Sequence, residues 1–364
     1  MIGIAISGSK PVPNSLTGSI TVQLQLIGIP INTLSVPPSV HTLGPRRLTM
    51  NTQPSEITPQ SGFTAPGTTH QDATLNHHVG TSPAATQNEH TDAGWAMPIL
   101  TVIVTAAAIF TAFLGSGAIG GTPIAEAAGG ALSADATPLA PASSAFSIWS
   151  VIYAGLAGYA IWQLFPAARR SPRQKHLRPW AIASVILNSV WIWTVQFDQV
   201  WASVLVITVL LVVLIRIMYI LGEPRTGGWP DLILTEGTFG LYFGWVLVAT
   251  FANLFAYFSA EGLNAFTTLP VGVGGIVLAG LIGVVAAIID GGRIAPALAT
   301  SWGLAWIAVA RTEGSYESQA LVITAAAASA VVLLTAIIAW SLRRSATTGQ
   351  SRTTPPASIP ASSS

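Results

Sequence analysis

Three pairs of side chains within apolar stretches have the types and the spacing to hold a flat, conjugated molecule. They are Trp149 with Tyr153, Asn188 with Trp191, and Tyr242 with Trp245. Residues three or four positions apart share one face of a helix, so each pair would present its two side chains together. Indole and phenol rings offer broad apolar area, and their N–H and O–H groups add a few polar contacts.

Half of the twelve tryptophans lie deep inside apolar stretches, where tryptophan is unusual. These six are Trp149, Trp191, Trp193, Trp245, Trp302 and Trp306. Tryptophan in membrane proteins normally collects at the boundary between lipid and water. Two explanations fit the deep residues: packing between helices, with each N–H bonded to a neighbouring carbonyl, and an aromatic ligand site. The residue pattern alone leaves both open.

The composition is that of an integral membrane protein. Only 8% of the 364 residues are charged, 51% are hydrophobic, and the mean hydropathy is +0.60, whereas a soluble domain has about 25% charged residues. The net charge of +1 argues against a nucleic-acid partner. The absence of cysteine excludes disulfides, thiolate catalysis and thiolate metal sites.

Eight apolar segments approach the length of about 20 residues that crosses a bilayer. They cover residues 97–119, 145–165, 179–197, 201–221, 232–257, 269–289, 294–310 and 319–341. Helices are expected, because an isolated strand would leave its backbone groups unpaired in lipid.

The basic residues predict one orientation. When the segments alternate in direction, nearly all of the flanking arginines and lysines fall on one side of the membrane, and only Arg311 falls on the other. Basic loops face the cytoplasm. We therefore predict that both termini are cytoplasmic and that the protein resides in the plasma membrane.

Three passages carry a resemblance to a known family. In order along the chain, they contain Phe146, Trp149 and Tyr153 after a run of prolines, then Asn188 and Trp191, then Tyr242, Trp245, Ala249 and Asn253. Their order and spacing over 95–258 resemble the TspO/MBR family, the tryptophan-rich sensory and translocator proteins. One departure is Gly240-Leu241, where the family usually has a proline before the tyrosine.

The resemblance predicts an all-α integral membrane protein with a five-helix TspO-like bundle over 95–258. About three additional C-terminal transmembrane helices would follow over 259–342, outside the family's five-helix core. The polar residues 1–94 and 343–364 are rich in Ser, Thr and Pro, and we predict disordered tails there.

The resemblance also implies an aromatic pocket that binds tetrapyrroles such as protoporphyrin or haem. The residues that would line it are Phe146, Trp149, Tyr153, Asn188, Trp191, Tyr242, Trp245 and Asn253. For the two asparagines, a hydrogen bond between helices is the competing explanation. Family members are often dimeric, so a homodimer is a further expectation, beside the lipid bilayer and the hydrophobic ligand.

No cofactor is required by this interpretation, and porphyrin or haem would be a ligand. All histidines lie outside the eight segments: His41, His70, His77, His78, His90 and His176. Because neither histidine nor cysteine lies within the segments, a metal-free porphyrin fits better than a cytochrome-like axial site. No metal site is predicted.

Two other functions remain open from the sequence. One is an eight-span secondary transporter, for which Glu236 near the start of the fifth segment would be a candidate proton or ion site. The other is an enzyme that degrades porphyrin through its tryptophans. The sequence lacks a Ser/His/Asp constellation and a phosphate-binding loop, so we predict a protein that is not an enzyme.

Overall fold

The computed structural model describes residues 94–117, 122–225 and 227–350, with the backbone alone at 346–350. The predicted N-terminal tail lies outside these residues except for Gly94, whereas residues 343–350 of the predicted C-terminal tail are helical. Within the described residues the regular elements are helices and no strand is present, so the predicted all-α fold is confirmed.

Eight helices of 15 residues or more occupy the positions of the eight predicted segments. They are α1 (Ala96–Gly115), α2 (Ile148–Trp162), α3 (Pro172–Gln196), α4 (Val200–Ile220), α5 (Thr238–Ala260), α6 (Leu269–Ile289), α7 (Ile294–Ala310) and α8 (Gln319–Gln350). A π-helical turn, Asp231–Gly237, leads into α5. The last helix continues nine residues past the predicted end of its segment at 341.

Six of the helical stretches are long and apolar enough to cross a membrane. The two that fall short by these measures are α3, whose first turns carry charged side chains, and α7, which has 17 residues. Membrane crossing by α3 and α7 therefore remains a prediction.

Two hydrophobic clusters fill the interior. The first is built mainly from α1 to α5, and the second from α5 to α8 together with Leu139 of the loop before α2. Helix α5 contributes to both clusters, with Trp245 in the first and Val248 in the second. It is consequently the most buried of the six apolar stretches, with 67% of its window inside the protein.

Helices α5 and α7 approach closely because glycine stands at their contact. A Cβ added at Gly244 would lie 2.1 Å from the carbonyl oxygen of Pro296, and one added at Gly240 would lie 2.8 Å from Cδ of the same proline. A Cβ added at Gly303 of α7 would likewise lie too close to the side chain of Val248. The departure at Gly240 from the family pattern thus coincides with the packing of an additional helix.

Arg311, the one basic residue on the wrong side in the predicted orientation, is fully buried. Its guanidinium donates hydrogen bonds to the carbonyl oxygens of Ala134, Thr137 (3.1 Å) and Ala140 (3.4 Å). It therefore fastens the loop between α1 and α2 to the end of α7. Its position reflects this packing role, which explains why it departs from the charge bias of the other loops.

Substituting Arg311→Met should lower the free energy of unfolding by at least about 2 kcal/mol, because buried carbonyls left without a donor cost about 1–3 kcal/mol each. The apparent Tm of the detergent-purified protein would report the loss. Arg170→Met, which removes an exposed arginine, serves as the control, and equal Tm values for the two variants would contradict the assigned role.

Candidate ligand site

The ring of Trp149 lies at the centre of an aromatic cluster formed by α2 and α5. It stacks on Tyr153, with ring centroids 5.2 Å apart and an interplanar angle of 22°. Tyr242 and Trp245 make T-shaped contacts with it, with ring centroids 5.7 and 6.4 Å away. The ring of Phe146 makes a further T-shaped contact with that of Trp245, at a centroid distance of 5.7 Å. These T-shaped and stacked contacts are the arrangements that aromatic quadrupoles favour.

Helix α3 supplies the first polar contact of the cluster. The side-chain amide of Asn188 donates to the hydroxyl of Tyr153 at 3.1 Å. The carbonyl oxygen Oδ1 of the same asparagine is buried and has no hydrogen-bond partner among the residues that the structure describes. A buried acceptor without a donor is costly, and a ligand that carries an N–H or O–H group would relieve it.

A second polar contact holds α3, α4 and α5 together. Asn253 accepts hydrogen bonds at Oδ1 from Nε1 of Trp191 (3.1 Å) and from the hydroxyl of Ser203 (3.2 Å), and its amide donates to the carbonyl of Ala249 at 2.9 Å. All its polar atoms are thus used within the bundle. This contact is of the inter-helix kind that the sequence left as an alternative for the two asparagines.

Two small cavities lie on either side of these rings. The first has a volume of about 20 Å³ and is bounded by Phe146, Trp149, Asn188, Trp191, Trp245 and Asn253, with alanines and aliphatic residues completing the wall. The second has a volume of about 130 Å³ and shares Phe146, Trp149 and Trp191 with the first. Only the second includes Tyr153.

The fold brings all eight sequence-predicted residues into one region. Seven of them line at least one of the two cavities, whereas Tyr242 packs behind Trp149 and donates to the carbonyl of Ser184 at 3.0 Å. The remaining deep tryptophans lie elsewhere. Trp193 stacks on Phe197, and Trp302 contacts Trp306 and donates to the carbonyl of Ala145.

Part of the cavity wall could not be predicted from the sequence. Ala131, Leu132, Ala140 and Pro141, from the loop between α1 and α2, line the first cavity. Small, apolar loop residues carry no chemical signature, so no pattern could have identified them. Their position depends on the anchoring of this loop by Arg311.

A network of buried charges lies at the π-helical turn that leads into α5. Arg173 of α3 forms ion pairs with Asp231 (3.0 Å) and Glu236 (2.7 Å), and Gln174 donates to Asp231 at 2.6 Å. The side chains of Arg173 and Asp231 are each 2% exposed. Since a buried charge is tolerated only with a well-placed partner, the network fixes α3 against the π-helical turn.

Glu236, the carboxylate that a transporter would use, is 14% exposed and is paired with both Arg173 and Arg225. No group of three or more acidic or histidine side chains suited to a metal occurs among the residues that the structure describes.

Replacing Asn253 by leucine should lower the free energy of unfolding by about 1–2 kcal/mol, because the buried N–H of Trp191 loses its acceptor. Thermal unfolding would measure the change. Asn264→Leu alters an exposed asparagine in the loop after α5 and should change stability by less than about 0.5 kcal/mol. A fully stable Asn253→Leu variant would contradict the role given to this contact.

Comparison with known proteins gave one informative result. The sequence model of the family described as TSPO-like protein matches residues 98–339. No curated protein and no solved structure gave a significant match. The match includes the last three helices, beyond the 95–258 region that carries the aromatic motifs, and it spans more than half of the chain. The protein therefore belongs to the TSPO-like family.

Proposed function

We propose that this membrane protein binds a planar, hydrophobic ligand of the tetrapyrrole type, without covalent chemistry, between α2, α3 and α5. It would act as a sensor or carrier of that ligand. The observation that carries the proposal is the cluster of aromatic rings around Trp149, with cavities on either side and an unpaired acceptor on Asn188.

The chemistry of the site suits such a ligand. Three rings of the cluster, those of Phe146, Trp149 and Trp245, line the first cavity together with Trp191 of α3. All four can contact the face or edge of a conjugated macrocycle. The Oδ1 atom of Asn188 could accept a hydrogen bond from a pyrrole N–H. The described lining residues include no histidine, which favours a metal-free porphyrin over an axially bound haem.

The cavities must enlarge before a ligand of this size can enter. Pockets for drug-sized molecules measure about 300–1,000 Å³, several times the 20 and 130 Å³ found on either side of Trp149. The indole of Trp149 forms part of the wall of both cavities, so its displacement would join them. We propose that the rings separate and that the ligand lies between them, in contact with the indoles of Trp149 and Trp245.

Binding of protoporphyrin IX to the full-length protein in detergent should saturate in the micromolar range. Because Trp149 and Trp245 supply contact area, Trp149→Ala and Trp245→Ala should each weaken binding by about tenfold or more, equivalent to about 1.4 kcal/mol. Quenching of tryptophan fluorescence and the shift of the porphyrin absorbance band would both be recorded, since the variants also remove a fluorophore.

Trp201→Phe is a matched control, because it removes an exposed tryptophan that lies outside both cavities. Wild-type affinity in both cavity variants would refute the assigned site. Absence of binding to the wild-type protein would refute the ligand class.

A secondary transporter is the competing proposal, and the buried carboxylates favour it. Asp231 and Glu236 lie within the π-helical turn at the start of α5, and transporters use irregular helix segments to present ion sites. The paired arginine would have to release a carboxylate before that group could take up a proton.

Reconstituted vesicles separate the two proposals. A transporter should show solute uptake coupled to a proton or ion gradient, with a large loss in Glu236→Gln because the amide cannot carry the exchanged proton. The tetrapyrrole site predicts instead that Glu236→Gln retains porphyrin binding. Glu223→Gln, which alters an exposed carboxylate of the same end, is the control.

A further inference from the structure

A large groove opens at the arginine-rich end of the helices, far larger than the aromatic cavities. It has a volume of about 790 Å³. Its walls are the turn after α4, the π-helical start of α5, the turn between α6 and α7, and the end of α8. We call it the basic groove, after the arginines that line it: Arg225, Arg293, Arg343 and Arg344.

The lining of the basic groove is cationic. Four arginines line it against two carboxylates, Glu223 and Glu236. Of these, Glu236 already pairs with Arg173 and Arg225, so its negative charge is largely compensated. The groove therefore has an excess of positive charge and is complementary to an anion.

The arginines are held in place by the surrounding helices. The guanidinium of Arg293 donates to the carbonyl oxygens of Met218 and Leu221 at the end of α4. That of Arg344 lies over the ring of Trp340, 4.1 Å from its centroid. Behind the groove, Asp290 faces Arg293 and Arg343, and burial raises the pKa of this carboxyl to about 6 although both arginines oppose that effect.

Part of the wall of the basic groove is apolar and exposed. Leu232, Ile233, Leu298 and Trp340 are 44, 56, 46 and 40% exposed and belong to helix faces that are available to lipid chains. A soluble anion such as free phosphate would leave this wall without a partner. A molecule with an anionic head and an apolar chain would contact both the arginines and the apolar residues of the groove.

The position of the groove along the helices agrees with that combination. Tyr219 and Trp229 are 76 and 72% exposed close to its ends, and exposed aromatic residues of this kind mark the level of the lipid headgroups. The arginines thus lie at the depth of the phosphates of one leaflet, and the apolar wall extends towards the acyl chains.

We propose that the basic groove binds an anionic phospholipid of the leaflet on the arginine-rich side. Its phosphate would contact the guanidinium groups of Arg343, Arg344 and Arg225, since arginine offers the planar pair of donors that matches a phosphate. An acyl chain would lie along the apolar wall. Basic pockets between membrane helices at this depth suit such headgroups.

A lipid in this position would connect the two hydrophobic clusters. The groove takes its walls from the turn after α4 and the start of α5, and from the turn between α6 and α7, α7 itself and α8. The bound lipid would therefore fill the gap between the last three helices and the aromatic bundle.

Native mass spectrometry of the full-length protein, titrated with phosphatidylglycerol or phosphatidylcholine of the same chain length, tests the proposal. The wild-type protein should bind phosphatidylglycerol more tightly by about tenfold or more. The double variant Arg343→Gln/Arg344→Gln should reduce that affinity by about 10- to 30-fold, as expected for two interfacial arginines.

The double variant Arg170→Gln/Lys175→Gln is the matched control. It removes two exposed positive charges from the same end of the bundle, outside the groove, and should leave the affinity within about twofold of the wild type. Equal losses in both double variants would show a general charge effect and overturn the site. Equal affinity for the two lipids would overturn the headgroup assignment.

Displacement of phosphatidylglycerol by millimolar inorganic phosphate would also overturn the proposal, because it would identify a simple anion site. Both double variants change exposed side chains, and an unchanged elution volume on gel filtration would show that each is folded. Porphyrin binding plays no part in these measurements, so their outcome is independent of the aromatic site.

Discussion

The close contact between α5 and α7 is the constraint on which the rest of the structure depends. Glycine at positions 240, 244 and 303 lets the two backbones approach to a distance that any side chain would prevent. In a membrane, such contacts replace the hydrophobic driving force that lipid cannot provide. With one side of α5 fixed in this way, its opposite side presents Tyr242, Trp245 and Asn253 to α2 and α3.

The aromatic site shows how a hydrophobic interior can combine order with the ability to open. Each stacked or edge contact contributes about 0.5–1.5 kcal/mol beyond burial, so the cluster around Trp149 is well defined without a ligand. A conjugated ligand would offer the same type of contact in exchange. The hydrogen bonds of Asn253 lie between α3, α4 and α5 and do not involve Trp149, so its ring can move without breaking them.

The positions of the helices could be predicted from the sequence because the length of each apolar run is a direct consequence of the bilayer's thickness. The proximity of the eight site residues followed from their spacing on three helices and from the family resemblance. The pairing of Arg173 with Asp231 could not be predicted, because 58 positions separate them and a basic residue beside an apolar segment indicates only orientation.

The remaining discrepancies have similar physical causes. Arg311 bonds to backbone carbonyls more than 170 positions away. Every residue has a backbone carbonyl, so the sequence does not indicate which ones accept these hydrogen bonds. The π-helical turn before α5 holds the two carboxylates that pair with Arg173, and no spacing of residues along the chain predicts it. The size of the cavities depends on how the rings of different helices pack against one another. The spacing of residues along one helix does not determine that packing.

The narrow exposed stripe of α7 bears on what holds this helix in the membrane. Only Leu298, Trp302, Ala305 and Val309 of this helix are exposed, and its 17 residues span about 25 Å at 1.5 Å per residue. Such a segment is short for independent insertion and leaves little surface for lipid. It follows that the place of α7 in the bundle depends on its packing against α5 and α8, which cover most of its remaining surface.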